Sequence, residues 1–227
     1  MDMPDLTGWT LVFDLDGTLI DSAPDLHAAL NYCLTRAGYG EVAFELISGM
    51  IGQGAKAMIR KALAHQNAEA GPGVVEGLWS DFLKYYRNNI CVFSRVYDGA
   101  EIVLDAIREA GGICAVCTNK TQSLSEAAIG GLNLSDYFKA IVGADAVPEK
   151  KPDGDHILRT IDAAGGDAKR AIMIGDSQTD EKAARNAGLP FIFVSFGYGP
   201  QPDDLSGPAG ICRAYSDLPD LISALCA

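Results

Sequence analysis

Two aspartates interrupt an apolar stretch near the start of the chain, and their type and spacing suit metal chemistry. The stretch reads LVFDLDGTLIDS and spans residues 11–22. Residues two apart in an extended chain point the same way, so Asp14 and Asp16 can face one ligand. Carboxylates this close repel each other unless a cation lies among them, and hard oxygen ligands favour Mg²⁺. The pattern therefore predicts a ligand site at the end of a strand.

More polar side chains follow the other apolar stretches that the sequence predicts to be strands. In open α/β sheets, ligands bind beyond the carboxyl ends of the strands, so these side chains should share one rim. They are Thr118, Asn119 and Lys120, then Lys150 and Lys151, then Asp176, Ser177 and Asp180. The rim thus combines carboxylates for a metal with a hydroxyl and lysines for an anion, which is an arrangement suited to phosphoryl transfer.

The elements that position these residues alternate after residue 98. Continuous apolar runs predict strands that are covered on both faces, and alternating strands and helices predict a doubly wound parallel α/β sheet. The predicted strands cover residues 11–14, 111–118, 139–145, 171–176 and 191–195, and the helices cover 101–110, 123–129, 155–164 and 181–187.

Residues 21–95 break this alternation directly after the first strand. Helical spacing runs through three successive segments there, which begin near Asp21, after Gly54 and after residues 71–73. We therefore predict an inserted all-helical cap at residues 21–95, on a catalytic core made of residues 1–20 and 96–227. The aromatic stripe Trp79, Phe82 and Tyr86 has helical spacing and is expected to be cap core.

Four ordered motifs resemble those of the haloacid dehalogenase superfamily of phosphohydrolases. DLDGT at 14–18 is similar to the first motif, Thr118 to the second, Lys151 before Pro152 to the third, and GDSQTD at 175–180 to the fourth. The resemblance spans nearly the whole chain and implies the Rossmann-like core of that family. The insertion resembles the cap of the branch that contains phosphoglycolate phosphatases and β-phosphoglucomutases.

The resemblance implies a role for each acidic residue. Asp14 would attack phosphorus and become an aspartyl phosphate, and Asp16 would serve as general acid and then as general base. Mg²⁺ would be held by the side chains of Asp14 and Asp176 and by the backbone carbonyl of Asp16, and Asp180 would support or join that shell.

The resemblance also implies that Thr118 and Lys151 hold the phosphoryl oxygens. Gly17 allows close backbone approach, so that amides near it can also donate, and Asn119 is a further substrate-binding candidate. One departure leaves a choice open in the third motif. Gly154 stands where this branch often has a second proline, so Lys150 competes with Lys151 for the phosphate.

The cap stretch IGQGAK, residues 51–56, could contact the other end of the substrate. Glycines at a helix start expose amides that can hold an anion. Gly52, Gln53, Gly54 and Lys56 are therefore substrate-binding candidates, with Lys56 or Arg60 available for a carboxylate. A plain turn between helices is the alternative.

The expected activity is Mg²⁺-dependent hydrolysis of a small phosphate ester, and 2-phosphoglycolate is the preferred substrate within the branch. A sugar-phosphate phosphatase, a pyrophosphatase or a phosphomutase would share the same core. A signalling module that is phosphorylated on aspartate is the alternative from a different class.

Composition narrows the partners and the compartment. The 227 residues carry a net charge of −12 and no basic run, which disfavours nucleic acid and membrane as partners. Six scattered cysteines and an acidic N-terminal segment without an apolar region favour the cytoplasm. A monomer or a homodimer is expected.

Overall fold

The computed structural model describes residues 3–69, 71–200 and 204–226, and its centre is a six-stranded parallel sheet. The described strands are β1 (Thr10–Phe13), β2 (Ile20–Asp21), β3 (Arg95–Val96), β4 (Ile113–Cys117), β5 (Phe138–Val142), β6 (Ala171–Gly175), β7 (Phe191–Val194) and β8 (Gly210–Cys212). The sheet order is β5-β4-β1-β6-β7-β8, with β1 between β4 and β6. The doubly wound parallel α/β sheet predicted from the sequence is confirmed.

Helices cover both faces of this sheet and form a separate layer above it. They are α1 (Ala23–Arg36), α2 (Ala55–His65), α3 (Pro72–Asn88), α4 (Ala100–Glu109), α5 (Gln122–Gly131), α6 (Gly154–Ala163), α7 (Gln178–Ala187) and α8 (Leu218–Cys226). Because successive strand residues face opposite sides, Phe13 and Ile174 pack in one core cluster while Val12 and Met173 pack in another. These buried strands place their carboxyl ends along one edge.

The buried apolar residues of α1, α2 and α3 form one hydrophobic cluster, which Leu124 of α5 also joins. Leu30, Leu63 and Phe82 are fully or almost fully buried in it. The chain enters and leaves this layer through the antiparallel pair β2–β3, where Asp21 lies opposite Arg95. These two strands lie at the two ends of the predicted insertion, residues 21–95. Of the predicted core, residues 1–2, 201–203 and 227 lie outside the described residues.

The buried carboxylate of Asp25 fastens α1 to the returning chain. It accepts hydrogen bonds from the amide of Ser94 at 2.9 Å and from the hydroxyl of Ser94 at 2.7 Å, as well as from the amide of Phe93. A buried carboxylate needs such donors, since its desolvation is otherwise uncompensated. The contact joins the first helix of the layer to the segment through which the chain leaves it.

The final strand and helix, β8 and α8, had no counterpart among the predicted elements. Helix α7 begins at residue 178 rather than 181, because Ser177 and Asp180 form a capping box that starts the helix earlier. The longest described helix has 17 residues, whereas a bilayer crossing takes about 20 apolar residues. No helix in the described parts of the chain therefore qualifies as a membrane span.

Candidate active site

Three carboxylates from two strand ends meet at the centre of the sheet edge. Asp14 directly follows β1, Asp176 directly follows β6, and Asp180 lies in the first turn of α7. Each offers an oxygen within 4.8 Å of the others, and all three residues are buried. Because β1 and β6 are paired neighbours, the encounter of Asp14 with Asp176 follows directly from the sheet order.

Asp176 occupies space that glycines leave free. A side chain at Gly17, whose φ is +89°, would place its Cβ 2.3 Å from Asp176 Oδ2. The backbone amide of Tyr198 donates to Asp176 Oδ2 at 2.7 Å, and Thr18 Oγ1 lies 3.3 Å from Oδ1. The amide of Gly17 itself donates to the carbonyl of Ile20. The absence of a side chain at Gly17 therefore leaves room for the carboxylate of Asp176.

Lys151 compensates part of this negative charge. Its Nζ donates to Asp14 Oδ1 at 2.8 Å, to Asp180 Oδ1 at 2.7 Å and to the carbonyl of Cys117 at 2.6 Å. Burial opposes the charged form, but the two carboxylates outweigh it and raise the pKa of Lys151. His156 holds the backbone of this residue, since Nδ1 accepts from the Lys151 amide, and burial lowers the pKa of His156 to about 4.

Lys150 points elsewhere. It is exposed, and its Nζ donates to the backbone carbonyl of Gln53 at 2.9 Å, so it contacts the cap rather than Asp14. Gly154, the departure noted in the third motif, packs tightly: a Cβ there would lie 2.5 Å from the amide nitrogen of Ala187. Of the two competing lysines, Lys151 is the one beside the carboxylates.

Negative charge is in excess around Asp14 and Asp176. Burial, and next to it the charge of Asp180, raise the pKa of Asp14 to about 7 against the pull of Lys151. Burial and the charge of Asp14 likewise raise the pKa of Asp176 well above its ordinary value. A bound divalent cation would reverse both shifts. Buried carboxylate oxygens are the ligands that Mg²⁺ prefers, so the donor set fits this ion.

The carboxylate of Asp16 is turned toward a different partner. Lys120 Nζ donates to its two oxygens at 2.8 Å and 3.0 Å, and Ser22 Oγ donates to Oδ1 at 2.5 Å. The side chain of Lys120 is 4% exposed and that of Asp16 is 13% exposed. The side chain of Asp16 thus lies outside the three-carboxylate group. This position agrees with the expectation that Asp16 would contact a metal only through its backbone carbonyl.

The residues that follow β4 join the core to the cap. Thr118 is buried and its hydroxyl accepts from the amide of Lys120 at 3.2 Å. The side-chain amide of Asn119 donates to the carbonyls of Gly52 and Lys151, while its Oδ1 is buried without a partner among the described residues. Asn119 thereby connects the cap loop with the third motif.

A cavity of about 320 Å³ lies between the cap and the sheet edge. Its core side is lined by Asp14, Asp16, Thr118, Asn119 and Lys120. Its cap side includes all four cap-loop candidates, Gly52, Gln53, Gly54 and Lys56, together with Arg60, Trp79, Phe82 and Tyr86. Lys151 and Gly17 lie behind the wall, against the carboxylates. The aromatic stripe is both cap core and cavity wall, which helical spacing alone did not indicate.

Lys56 is already engaged on the cap. Its Nζ lies 2.7 Å from Glu76 Oε2 and 4.0 Å from the centre of the Trp79 ring. The glycines beside it have positive φ, +98° at Gly52 and +91° at Gly54, so α2 starts directly at the cavity. The loop is therefore built to approach the core closely.

Sequence reasoning missed two residues that organise the site. Tyr198 follows β7, and its hydroxyl accepts from the amides of Ser22 and Ala23 and donates to Asp21. Ser22, at the N-cap position of α1, donates through Oγ to Asp16. The glycines around Tyr198 in the stretch FGYGP were the available signal of a close backbone approach.

Comparison with known proteins agrees with this architecture. The profile of the family described as haloacid dehalogenase-like hydrolase matches residues 11–194. A phosphoglycolate phosphatase from Caulobacter vibrioides is 40% identical over 215 residues, covering 95% of this chain and 91% of the relative. One from Agrobacterium fabrum is 44% identical over 191 residues, covering 84% and 82%.

Solved structures extend the agreement to three dimensions. The crystal structure of a protein described as a predicted phosphoglycolate phosphatase from Haemophilus somnus superposes with a TM-score of 0.85. It is 28% identical, and the match covers 97% of this chain and 99% of that one.

The chain belongs to the haloacid dehalogenase-like hydrolases. Within that family it is a phosphatase similar to the phosphoglycolate phosphatases.

Proposed function

We propose that the chain hydrolyses a small phosphate monoester, with 2-phosphoglycolate as the preferred substrate, by a Mg²⁺-dependent double displacement through Asp14. The observation that carries this proposal is the meeting of Asp14, Asp176 and Asp180 beside Lys151, where Asp14 lines the cavity between the cap and the sheet edge. The names of the relatives support the choice of 2-phosphoglycolate.

In the first displacement, a carboxylate oxygen of Asp14 forms a bond to phosphorus and the bond between phosphorus and the ester oxygen breaks. Lys151 already holds Oδ1 of Asp14, which leaves Oδ2 as the attacking atom. The hydroxyl of Thr118 and the lysine charge stabilise the phosphoryl oxygens. In the same role we place the amides of Leu15, Asp16 and Asn119, which have no acceptor among the described residues.

Asp16 handles the protons of both displacements. In the first, it gives a proton to the departing ester oxygen. In the second, it takes a proton from the attacking water as the water oxygen bonds to phosphorus and the bond to Asp14 breaks. Its place at the cavity wall, away from the three-carboxylate group, supports this role.

The residues that would hold Mg²⁺ are Asp14 and Asp176 through their side chains and Asp16 through its backbone carbonyl. Asp180 would support the metal ligands rather than bind the ion directly, since its Oδ1 accepts a hydrogen bond from Lys151 and its Oδ2 accepts hydrogen bonds from Ser177. The bound ion would neutralise charge on the phosphoryl group.

The helical layer acts as a cap, and we place its bounds at residues 21–95 on a core of 1–20 and 96–227. Its hydrophobic cluster, whose described buried residues other than Leu124 all lie within these bounds, and the β2–β3 pair at its ends support them. We propose that the chain acts as a monomer or as a homodimer. Six unpaired cysteines support a cytoplasmic location.

The test is phosphate release by the purified protein from a panel of phosphorylated metabolites, with and without EDTA. We expect hydrolysis of 2-phosphoglycolate that chelation stops and added Mg²⁺ restores. Full activity in EDTA would contradict the metal's role, and a sugar phosphate or pyrophosphate turned over faster would change the substrate. A coupled assay detects a phosphomutase, which returns the phosphoryl group to its substrate. A phosphoenzyme that lasts for hours would indicate a signalling module.

A further inference from the structure

Several cationic side chains line the cavity, and the proposed chemistry restricts which of them can contact a carboxylate on the substrate. This inference rests on the proposed function, in which Asp16 protonates the ester oxygen. That oxygen must therefore lie within hydrogen-bond distance of the Asp16 carboxyl group. In 2-phosphoglycolate the carboxylate carbon is two bonds from the ester oxygen, or roughly 2.4 Å for bonds of about 1.5 Å. The cation that meets this carboxylate must lie beside Asp16.

Lys120 satisfies this condition. Its Nζ lies 2.8 Å and 3.0 Å from the two oxygens of Asp16, and both residues line the cavity. An ammonium group has three N–H donors, and Asp16 takes two, so one remains. Lys151 shows that a buried lysine of this site can serve two carboxylates at once, since it pairs with Asp14 and Asp180.

The other cations of the cavity wall are engaged elsewhere or exposed. Lys56 pairs with Glu76 and lies over the Trp79 ring. Lys150 donates to a backbone carbonyl of the cap loop, and Arg60 is exposed on the second cap helix. They suit a longer substrate better than one whose carboxylate lies two bonds from the ester oxygen.

Tyr86 supplies an independent observation that points to an anionic ligand. The residue is 1% exposed and lines the cavity, and its hydroxyl has no hydrogen-bond partner among the described residues. Its ring centre lies 4.8 Å from Lys120 Nζ. An unpartnered buried hydroxyl is costly, so a ligand that accepts its proton would remove a penalty of the free protein. Burial raises the pKa of Tyr86 to about 12, which keeps it a donor at neutral pH.

We propose that Lys120 and Tyr86 form a carboxylate-recognition site that selects phosphate monoesters with an anionic group adjacent to the ester oxygen. Lys120 bridges Asp16 and the substrate carboxylate, and the Tyr86 hydroxyl donates a hydrogen bond to the same carboxylate. The proposed specificity site thus combines a lysine of the core, Lys120, with a tyrosine of the cap, Tyr86.

The test compares 2-phosphoglycolate with ethyl phosphate, which has the same ester oxygen but no carboxylate. The quantity measured is the ratio of the two kcat/KM values, in which any effect that acts through Asp16 on both esters cancels. For Lys120→Met we expect this ratio to fall about 10- to 100-fold, as for a lost hydrogen bond to a charged group. Lys84→Met, on the exposed side of the same cap helix as Tyr86, is the matched control and should leave the ratio unchanged.

Tyr86→Phe provides a second test that removes one oxygen and keeps the ring. We expect the ratio to fall about 10- to 100-fold, since this hydrogen bond also goes to a charged group. Calorimetric titration of 2-phosphoglycolate into Asp14→Asn, with and without Tyr86→Phe, should show a matching loss of affinity. This arm remains decisive if Lys120→Met does not fold.

Two results would overturn the assignment while leaving the proposed function in place. One is a parallel loss on both esters in Lys120→Met together with an unchanged ratio in Tyr86→Phe. The other is a ratio that falls in Lys56→Met but not in Lys120→Met, which would move the carboxylate to the cap. A wild-type protein that hydrolyses neither ester would instead refute the proposed function and the assignment with it.

Discussion

Replacement of Lys151 by methionine tests how the site balances its charge. The side chain of Lys151 is 1% exposed and pairs with Asp14 and Asp180, so Lys151→Met leaves two buried carboxylates without their cation. Removal of one partner of a buried ion pair costs about 3–5 kcal/mol. In a chain of this size, 1 kcal/mol shifts Tm by roughly 2–4 °C, so we expect a fall of about 6–20 °C in EDTA. Turnover should fall at least about 100-fold, since a preorganised charge at the phosphoryl group is lost.

Lys150→Met is the matched control, because the same substitution is made one residue earlier on an exposed side chain. An exposed substitution stays within about 0.5 kcal/mol, so Tm should move by roughly 2 °C or less. Thermal unfolding in EDTA and in Mg²⁺, together with initial rates of phosphate release, measures both effects.

The double variant Asp14→Asn/Lys151→Met separates stability from activity. Because it removes a carboxylate along with the lysine, Tm in EDTA should recover part of the loss, while turnover should be abolished because Asp14 is the proposed nucleophile. Equal effects of Lys150→Met and Lys151→Met on Tm and on rate would refute the account of the charge balance. So would a double variant no more stable than Lys151→Met alone.

Three further predictions concern pH, a hydroxyl and a glycine. The folded-state pKa of Asp14, about 7, lies above its unfolded value, so the stability of the protein in EDTA is lost as pH rises through 7. Tm in EDTA should therefore fall from pH 6 to pH 8, and Mg²⁺ should raise Tm more at pH 8 than at pH 6. A Tm that rises over this range would contradict the raised pKa. Tyr198→Phe removes a hydroxyl that accepts hydrogen bonds from two cap amides, and it should lower the free energy of unfolding, measured in urea, by about 1–3 kcal/mol. An unchanged free energy of unfolding would show that these hydrogen bonds are dispensable. Gly154→Ala should cost about 1–3 kcal/mol because its Cβ would meet the backbone of the Asn186–Ala187 segment. Gly130→Ala in α5 should be neutral or stabilising, because a Cβ there would make only an ordinary contact, 3.8 Å from Ser135 Oγ. Similar losses of stability in both variants would refute the packing argument.

The sequence was sufficient for the parts of the fold that depend on pattern. Buried strands read as continuous apolar runs, and β6 is buried at all five positions. The sequence predicted that Asp14 and Asp176 share one rim, because parallel strands present their carboxyl ends at one edge. That β1 and β6 are paired neighbours came only from the structure. Strand β8 was missed because it has only three residues, too few to set a period, and α8 follows it without a distinct start signal.

Side-chain partnerships across the chain were beyond pattern reasoning. Lys120 and Asp16 are 104 positions apart, and Tyr198 and Asp21 are 177 positions apart. Periodicity reports which face of an element is apolar but not which polar groups of two elements meet. The stripe that contains Tyr86 illustrates this limit, since its spacing fits cap core whether or not one edge lines a cavity.

The charges of the site link its stability, its metal and its selectivity. Four carboxylates face two lysines: Asp14, Asp16, Asp176 and Asp180 against Lys120 and Lys151. The excess of two negative charges equals the charge of one divalent cation, and without that cation protons are held more tightly, as the raised pKa values of Asp14 and Asp176 show. Once a cation balances the site, a phosphate ester again brings negative charge. An ester that also carries a carboxylate needs a donor not already used on a neighbour, and the third N–H of Lys120, beside the unpartnered hydroxyl of Tyr86, meets that need.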